Sequence, residues 1–291
     1  NIPLNSRLVI IPILGNACDK KLLTRVFEQN KVNIIFHAAA HKHVPMVEIN
    51  PIEGLKNNIL STRSLAEIAL KFNIEKFTLI SSDKAVRPKN IMGASKRVSE
   101  ILFQAFDNRF KETCFSMVRF GNVLNSSGSV IPLFKKQIKS KGPLTVTHPE
   151  VIRYFMTIQE ASQLVIQASS LAKGGEVFLL DMGKPIKILS LAKQMIKLSG
   201  LTIKNKKNLS GDIEIIFTGL RPGEKLKEEL LIDDHAKPTT HPLIYKAEEN
   251  YITYEKIIPL IKQLENSLIN YDLLKSLSLL KEIVPEWNRF S

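Results

Sequence analysis

Apolar and polar positions alternate along the chain in two rhythms. Short runs rich in β-branched and aromatic residues, Arg7 to Leu14, Asn33 to Ala38, Phe77 to Ser81 and Cys114 to Arg119, read as buried strands. Between them apolar positions recur at helical spacing over Lys20 to Gln29, Asn57 to Phe72 and Met92 to Asn108. Pro88 stops regular structure ahead of the last of these. Strand and helix in alternation predict βαβ units and a doubly wound parallel sheet, an α/β fold.

From Ser126 onward the rhythm changes. Gly and Pro punctuate helix Val130 to Lys139, helix Ile158 to Ser170, strand Val177 to Asp181, helix Ile188 to Leu198 and strand Asp212 to Phe217. A second, smaller lobe is expected, interleaved with the sheet because the amphipathic helix Ile158 to Ser170 can cover a sheet face. The tail from Thr253 reads as helical and Leu-rich, a packing element.

Composition narrows the class. With 44% apolar residues in 291, the chain can bury a core. Its most apolar stretches, Leu8 to Leu14 and Ile34 to Ala40, fall short of the roughly 20 residues that span a bilayer. Cys18 and Cys114 are far apart and outside any metal or redox spacing, which fits a reducing compartment and predicts no disulfide. The net charge of +13 raises nucleic acid as a partner. The lysines are scattered, however, and the densest run, Lys204 to Lys207, sits in a polar loop, so no nucleic-acid partner is expected. The chain opens on Asn1 without the order of a secretion signal, and is expected to be a fragment of cytoplasmic origin.

Four segments carry candidate chemistry: His37-Ala-Ala-Ala-His-Lys42, Ser81-Ser-Asp-Lys84, Met92-Gly-Ala-Ser-Lys96 and Arg119-Phe-Gly-Asn122. They fall where open α/β sheets bind ligands, at the carboxyl ends of strands, so one crevice could collect all four. Ala38, Ala39 and Ala40 either admit a flat cofactor to the backbone or serve helix packing. His37, His41 and His43 tempt a metal reading, but neighbours on a strand end alternate faces and no acidic or thiol residue nearby completes a tetrahedral set. No metal is expected. Lys96 follows Met92 by four residues and shares its helix face. Beside it Ser82, Asp83 and Lys84 give one loop a hydroxyl, a carboxylate and an ammonium, three groups able to move protons. Arg153 and Arg221 suit a diphosphate gripped by two guanidinium groups, although taken alone they read more readily as surface ion pairs.

Together these segments, with His148-Pro-Glu-Val-Ile-Arg-Tyr-Phe-Met-Thr157 and Gly219-Leu-Arg-Pro-Gly-Glu-Lys225, resemble the extended short-chain dehydrogenase/reductases. The likeness is greatest to the polysaccharide-biosynthesis, CapD-like branch of UDP-N-acetylglucosamine 4,6-dehydratases, and runs from about Val9 to Ile244. It implies a Rossmann-like sheet with NAD as cofactor and a UDP-linked N-acetylhexosamine as substrate, converted to a 4-keto-6-deoxy sugar for surface glycans. By position it implies that Ala38, Ala39, Ala40, Lys42, Asn58 and Lys96 border NAD, and that Ser82 and Lys96 are the catalytic Ser/Thr and Lys. Asp83 and Lys84 would be the acid and base of dehydration. Asn122, Arg153, Arg221 and Glu224 would contact the substrate nucleotide, with Val130, Ile131 and Pro132 near its base.

Three departures qualify the resemblance. Met92 stands where most of the superfamily has a catalytic Tyr, a trait of the membrane-linked dehydratase subgroup, so proton removal at C4 falls to Ser82, Asp83 or water. Asn16 replaces the carboxylate expected to hold adenine; its amide oxygen still accepts, without charge. No glycine-rich turn precedes Arg7, so the first βαβ unit is expected to be missing and this chain inactive alone.

The expected organisation is therefore a partial NAD-binding domain over residues 1–125, a substrate lobe over 126–250 and a helical tail over 251–291. An intact parent is expected to be a homo-oligomer, cytoplasmic, and anchored to the inner face of the membrane only through a region outside this chain. A nucleotide-sugar 4-epimerase and a non-catalytic nucleotide-sugar-binding remnant are the alternatives.

Overall fold

The structure, a computed structural model, describes residues 9–229 and 236–289. In chain order the first half runs α1 (Lys20–Gln29), β1 (Ile34–His37), α2 (Val44–Ile49) and α3 (Pro51–Leu55). A π-helical turn, Lys56–Leu60, leads into α4 (Ser61–Lys71), followed by β2 (Lys76–Ile80), α5 (Ile91–Arg109) and β3 (Cys114–Arg119). The middle contains β4 (Asn122–Val123), α6 (Val130–Lys139), β5 (Leu144–Val146), β6 (Ile152–Arg153), β7 (Phe155–Met156), α7 (Ile158–Leu171) and β8 (Val177–Leu180). Then come β9 (Ile186–Lys187), α8 (Ile188–Leu198), β10 (Ile203–Lys204), β11 (Ile213–Phe217), β12 (Ala236–Pro238), β13 (Ile244–Ala247), α9 (Tyr254–Ile269) and α10 (Leu273–Ile283).

The main sheet has the order β1-β2-β3-β8-β13-β12. Its first four strands are parallel, and β13 and β12 add on antiparallel. Burial on both faces explains why these strands read as apolar runs. Phe115, Met117, Val177 and Leu179 enter one core, whereas Val118, Phe178 and Leu180 enter the other. The first core is closed by α4, α5 and the tail, which contributes Ile257, Ile261, Leu264, Leu280 and Trp287. The second is closed by α7 through Leu164, Val165 and Ala168. The smaller lobe packs α6 and α8 on the parallel sheet β10-β11-β5 around Phe134, Ile188 and Ile196. Interleaving has a simple cause: between β4 and β13 the chain leaves the main sheet and re-enters it for β8.

One expected strand is absent. Of Arg7 to Leu14, residues 7 and 8 lie outside the described residues, and 9–14 form no strand, leaving Val9, Ile10, Ile11 and Leu14 exposed. A β-rich composition cannot make a strand by itself, because the backbone groups need a neighbouring ladder. Among the described residues β1 is the sheet edge, and its Ile34 and Phe36 are exposed too. No helix among the described residues is long and apolar enough to cross a membrane.

Candidate active site

The carboxyl ends of β1, β2 and β3 open into a cleft of about 320 Å³. Ala38, Ala40, Lys42 and His43 line it after β1, Ser81, Ser82 and Lys84 after β2, and Phe120 to Val123 after β3. Met92 and Lys96 of α5 face it, and the loop Ser126 to Ser129 of the smaller lobe forms the far wall. His43 is packed so closely beneath that loop that a Cβ at Gly128 would stand 2.3 Å from its ring.

Each wall is pinned by local chemistry. Asn58, in the π-helical turn, accepts from the His41 amide at 2.7 Å and donates to the His41 carbonyl at 3.1 Å and to Ser95 Oγ at 2.9 Å. These bonds fix the segment after β1 against α5, and a π turn at such a place is a common feature of functional sites. Ser82 caps the one-turn 3₁₀ helix Asp83–Ala85, accepting from the Lys84 amide at 3.2 Å. The same turn lies against the start of α5: a Cβ at Gly93 would be 2.2 Å from the Lys84 carbonyl oxygen, so only glycine permits this approach.

The electrostatics converge on Asp83 and Lys84. Asp83 Oδ1 accepts from Ser82 Oγ at 2.8 Å and from Lys84 Nζ at 2.9 Å, while its buried Oδ2 has no hydrogen-bond partner among the described residues. Burial opposes the Lys84 charge, but Asp83 and Glu228 outweigh it and hold this ammonium above the ordinary lysine range. Lys96 is the opposite case. Burial outweighs the attraction of Glu100 and lowers it to about 8, while its Nζ donates to the Ile80 carbonyl at 2.9 Å.

Residues 3–249 match the sequence profile of the family described as polysaccharide biosynthesis protein. The chain belongs to this family. Within the polysaccharide biosynthesis family, the capsular polysaccharide biosynthesis protein CapD of Staphylococcus aureus is 49% identical over 271 residues, 93% of this chain and 44% of that protein. The chain thus spans less than half of that relative's length. The UDP-N-acetylglucosamine 4,6-dehydratase (inverting) of Campylobacter jejuni subsp. jejuni is 34% identical over 88% of this chain and 71% of its own length. A UDP-glucose 4-epimerase of Rickettsia canadensis is 38% identical over 71% of this chain and 58% of its own length. Among solved structures, Pen from Bacillus thuringiensis superposes with a TM-score of 0.71 at 33% identity, covering 86% of this chain and 80% of Pen. The dTDP-glucose 4,6-dehydratase DesIV of Streptomyces venezuelae, solved with NAD and TYD bound, shares the fold with a TM-score of 0.64 at 19% identity over 74% of this chain and 69% of that one. The extended short-chain dehydrogenase/reductase assignment and its Rossmann-like sheet stand.

On this polysaccharide biosynthesis scaffold the expected residues divide into three groups. Ala38, Ala40, Lys42, Ser82, Lys84, Met92, Lys96 and Asn122 meet in the cleft, with Asp83 directly behind Lys84 and Asn58 supporting the wall. Asn122 presents a buried Oδ1 that has no partner among the described residues. Ala39 and Asn16 are not among the cleft walls; the Asn16 amide oxygen accepts from the Cys18 amide at 2.8 Å in the turn before α1.

The remaining residues lie outside the cleft walls. Arg153 and Arg221 do not present a matched pair of free guanidinium groups. Arg153 is buried and donates to the Ile152 carbonyl at 2.8 Å and to Glu224 at 3.2 Å, whereas Arg221 is exposed. Glu224 binds both, taking the Arg221 amide at 3.1 Å, and so acts as a bracket between the two segments. Val130, Ile131 and Pro132 form the first turn of α6, but Ile131 faces a groove shared with Leu191 and Met195 of α8. Arg119 turns away from the cleft into a buried ion network. His37 hydrogen-bonds Thr62 Oγ1 at 3.1 Å, and no cluster of metal-ligating side chains occurs among the described residues.

The sequence reading missed Glu228. It is buried, with Oε1 at 3.6 Å from Lys84 Nζ and 3.9 Å from Arg153 Nη2. It lies in an ordinary run of charged residues after Lys225, and only the fold brings it to Lys84.

Proposed function

We propose that this chain carries the acid–base and substrate-facing part of a NAD-dependent enzyme that 4,6-dehydrates a UDP-linked N-acetylhexosamine, giving a 4-keto-6-deoxy sugar. The observation that carries the reading is the Asp83–Lys84 ion pair, 2.9 Å long, set behind Ser82 at the edge of the cleft. The cleft suits the nicotinamide and ribose end of the cofactor: Ala38 and Ala40 leave room for a flat ring, and Lys96 and Ser82 stand at its side. When bound, NAD supplies reversible hydride acceptance.

The residues of the chain supply the proton traffic. Ser82 Oγ gives the proton of the C4 hydroxyl a way out, since Met92 has none to exchange. Passage of a proton from Lys84 Nζ to Asp83 Oδ1 along their hydrogen bond turns the resting ion pair into a neutral amine and a carboxylic acid. Oxidation at C4 acidifies the C5 proton, which Lys84 removes and exchanges with solvent; Lys84 later delivers a proton to C5 as the hydride taken from C4 returns to C6. Asp83 protonates the C6 hydroxyl as it leaves as water, and a solvent proton restores the pair.

A second reading, nucleotide-sugar 4-epimerase, draws on the 38% identity to the Rickettsia protein of that name. Epimerisation at C4 needs no acid and base at Asp83 and Lys84. The two separate in deuterium oxide with UDP-N-acetylglucosamine as substrate. Dehydration places solvent deuterium at C5 of a 4-keto product, detected by NMR and mass spectrometry. Interconversion of C4 epimers without exchange at C5 would overturn the dehydratase reading.

A further inference from the structure

We infer that Glu228 is a third member of the acid–base cluster, a positioning residue that holds the Lys84 ammonium against Asp83 and keeps it charged. The inference rests on the Lys84 role proposed above. Glu228 comes from the segment where Ile152 pairs with Lys227, so Lys84 Nζ lies within 3.6 Å of two carboxylates, Asp83 and Glu228.

The geometry differs from that of a carboxylate kept for stability. Glu100, also buried, has both oxygens engaged at 2.6–3.2 Å by Ser81, Arg119 and Arg97. Glu228 keeps only the longer contacts to Lys84 and Arg153, and its Oε2 is buried with no partner among the described residues. Buried polar atoms are nearly always satisfied, and exceptions in native folds mark functional sites often enough to demand a reason. Here the reason is that the second carboxylate acts by its charge on Lys84.

The charges facing the pair give the sign. Asp83 and Glu228 favour the ammonium of Lys84, and Arg153 opposes it. Glu228 itself is raised by burial, lowered by Lys84, raised by Asp83, and lowered by Arg153 and Lys225. Loss of its charge therefore releases the Lys84 proton at lower pH. Loss of the Arg153 charge does the reverse.

Competitive acetylation with limiting acetic anhydride reads the neutral fraction of Lys84 directly, by mass spectrometry of its peptide against other lysines, without turnover. At a fixed pH near 9, Glu228→Gln should label Lys84 about tenfold faster, because more of it is neutral. Glu228→Asp, which keeps the charge, should stay near wild type, and Arg153→Gln should label more slowly. A wild-type rate in Glu228→Gln overturns the inference. So does equal acceleration in Glu228→Asp, which would mean a loosened site instead of a lost charge. If Glu228→Gln does not fold, the Arg153→Gln arm decides, and unchanged or faster labelling there overturns it. Failure of the dehydratase reading shows separately, as absence of C5 deuterium in the product while the labelling pattern holds.

Discussion

Lys96 and Met92 lie one helical turn apart and both face the cleft, but only one of them can hold a charge. Lys96 Nζ donates to the Ile80 carbonyl, and under the proposed function it would bind a ribose hydroxyl and stabilise the oxyanion that a departing proton leaves. Lys96→Ala should therefore cut turnover by about 10²-fold or more, the usual weight of a proton-transfer group. Met92→Ala should have a mild effect. Loss of C4 oxidation in Met92→Ala, with circular dichroism unchanged, would overturn this and give Met92 a part in positioning the reactants. His37 makes a different prediction. Burial, with Lys96 adding to it, lowers this imidazole to about 3 from an ordinary 6.5. As pH falls below 6.5 the unfolded chain takes up a proton that the folded one refuses, so stability declines from there toward pH 3. The loss should reach about 2 kcal/mol by pH 5. Urea unfolding at pH 7 and pH 5 measures it, and His37→Asn should flatten the difference; an unchanged slope in that variant would remove His37 as the cause. The sequence displays His37 in a motif but not its partner Thr62, 25 residues away, which is why its buried role was not legible.

At the scale of elements, legibility follows the source of each element's stability. Helices α1, α6 and α8 have the bounds that their apolar spacing predicts because each presents an apolar face to one core, and β3 has its predicted bounds because it is buried on both faces. The helix expected from Asn57 starts earlier, at Pro51, and passes through the π turn that carries Asn58. Periodicity cannot reveal an inserted residue whose purpose is to aim one amide at His41. Strands of two or three residues, such as β4, β6, β7 and β9, are too short for any rhythm. The pair β12 and β13 is held by the ladder to β8, a long-range partner invisible locally. For the same reason Glu228 escaped while Ser82, Asp83 and Lys84 did not: three chemical groups side by side form a local signal, whereas a single carboxylate brought in by the tertiary fold does not. The apolar run of residues 9–14 shows the converse, a strong local signal that pairs with no strand among the described residues.

Across the whole molecule, the site is held in place from behind by a buried ion network that joins both ends of the architecture. Arg119, at the end of β3, grips Glu100 of α5 with Nε at 2.7 Å and Nη2 at 2.6 Å, and reaches Glu249 beyond β13 with Nη1 at 2.5 Å. Arg97 bonds Glu100 at 3.2 Å and extends to Glu286 after α10 at 3.1 Å. Ser81, which precedes Ser82, donates to Glu100 at 2.6 Å, and Glu100 lies one turn beyond Lys96. The tail thus completes the charge balance behind the strand ends as well as covering α5. Burial raises the Glu100 carboxyl, yet Arg119 and Arg97 prevail and keep it below the usual range, so it remains charged and needs its partners. Removing one member of such a set strands a buried charge, which costs about 3–5 kcal/mol, whereas an exposed pair is worth about 1 kcal/mol or less. Arg119→Met should accordingly destabilise the fold by several kcal/mol and displace Ser82 and Lys96, while Glu286→Gln, at the half-exposed rim, should cost little. Chemical denaturation of the two variants compares them directly. Similar losses in both, or a loss below about 1 kcal/mol for Arg119→Met, would mean that apolar packing alone holds the strand ends to α5 and that the network adds nothing to the site.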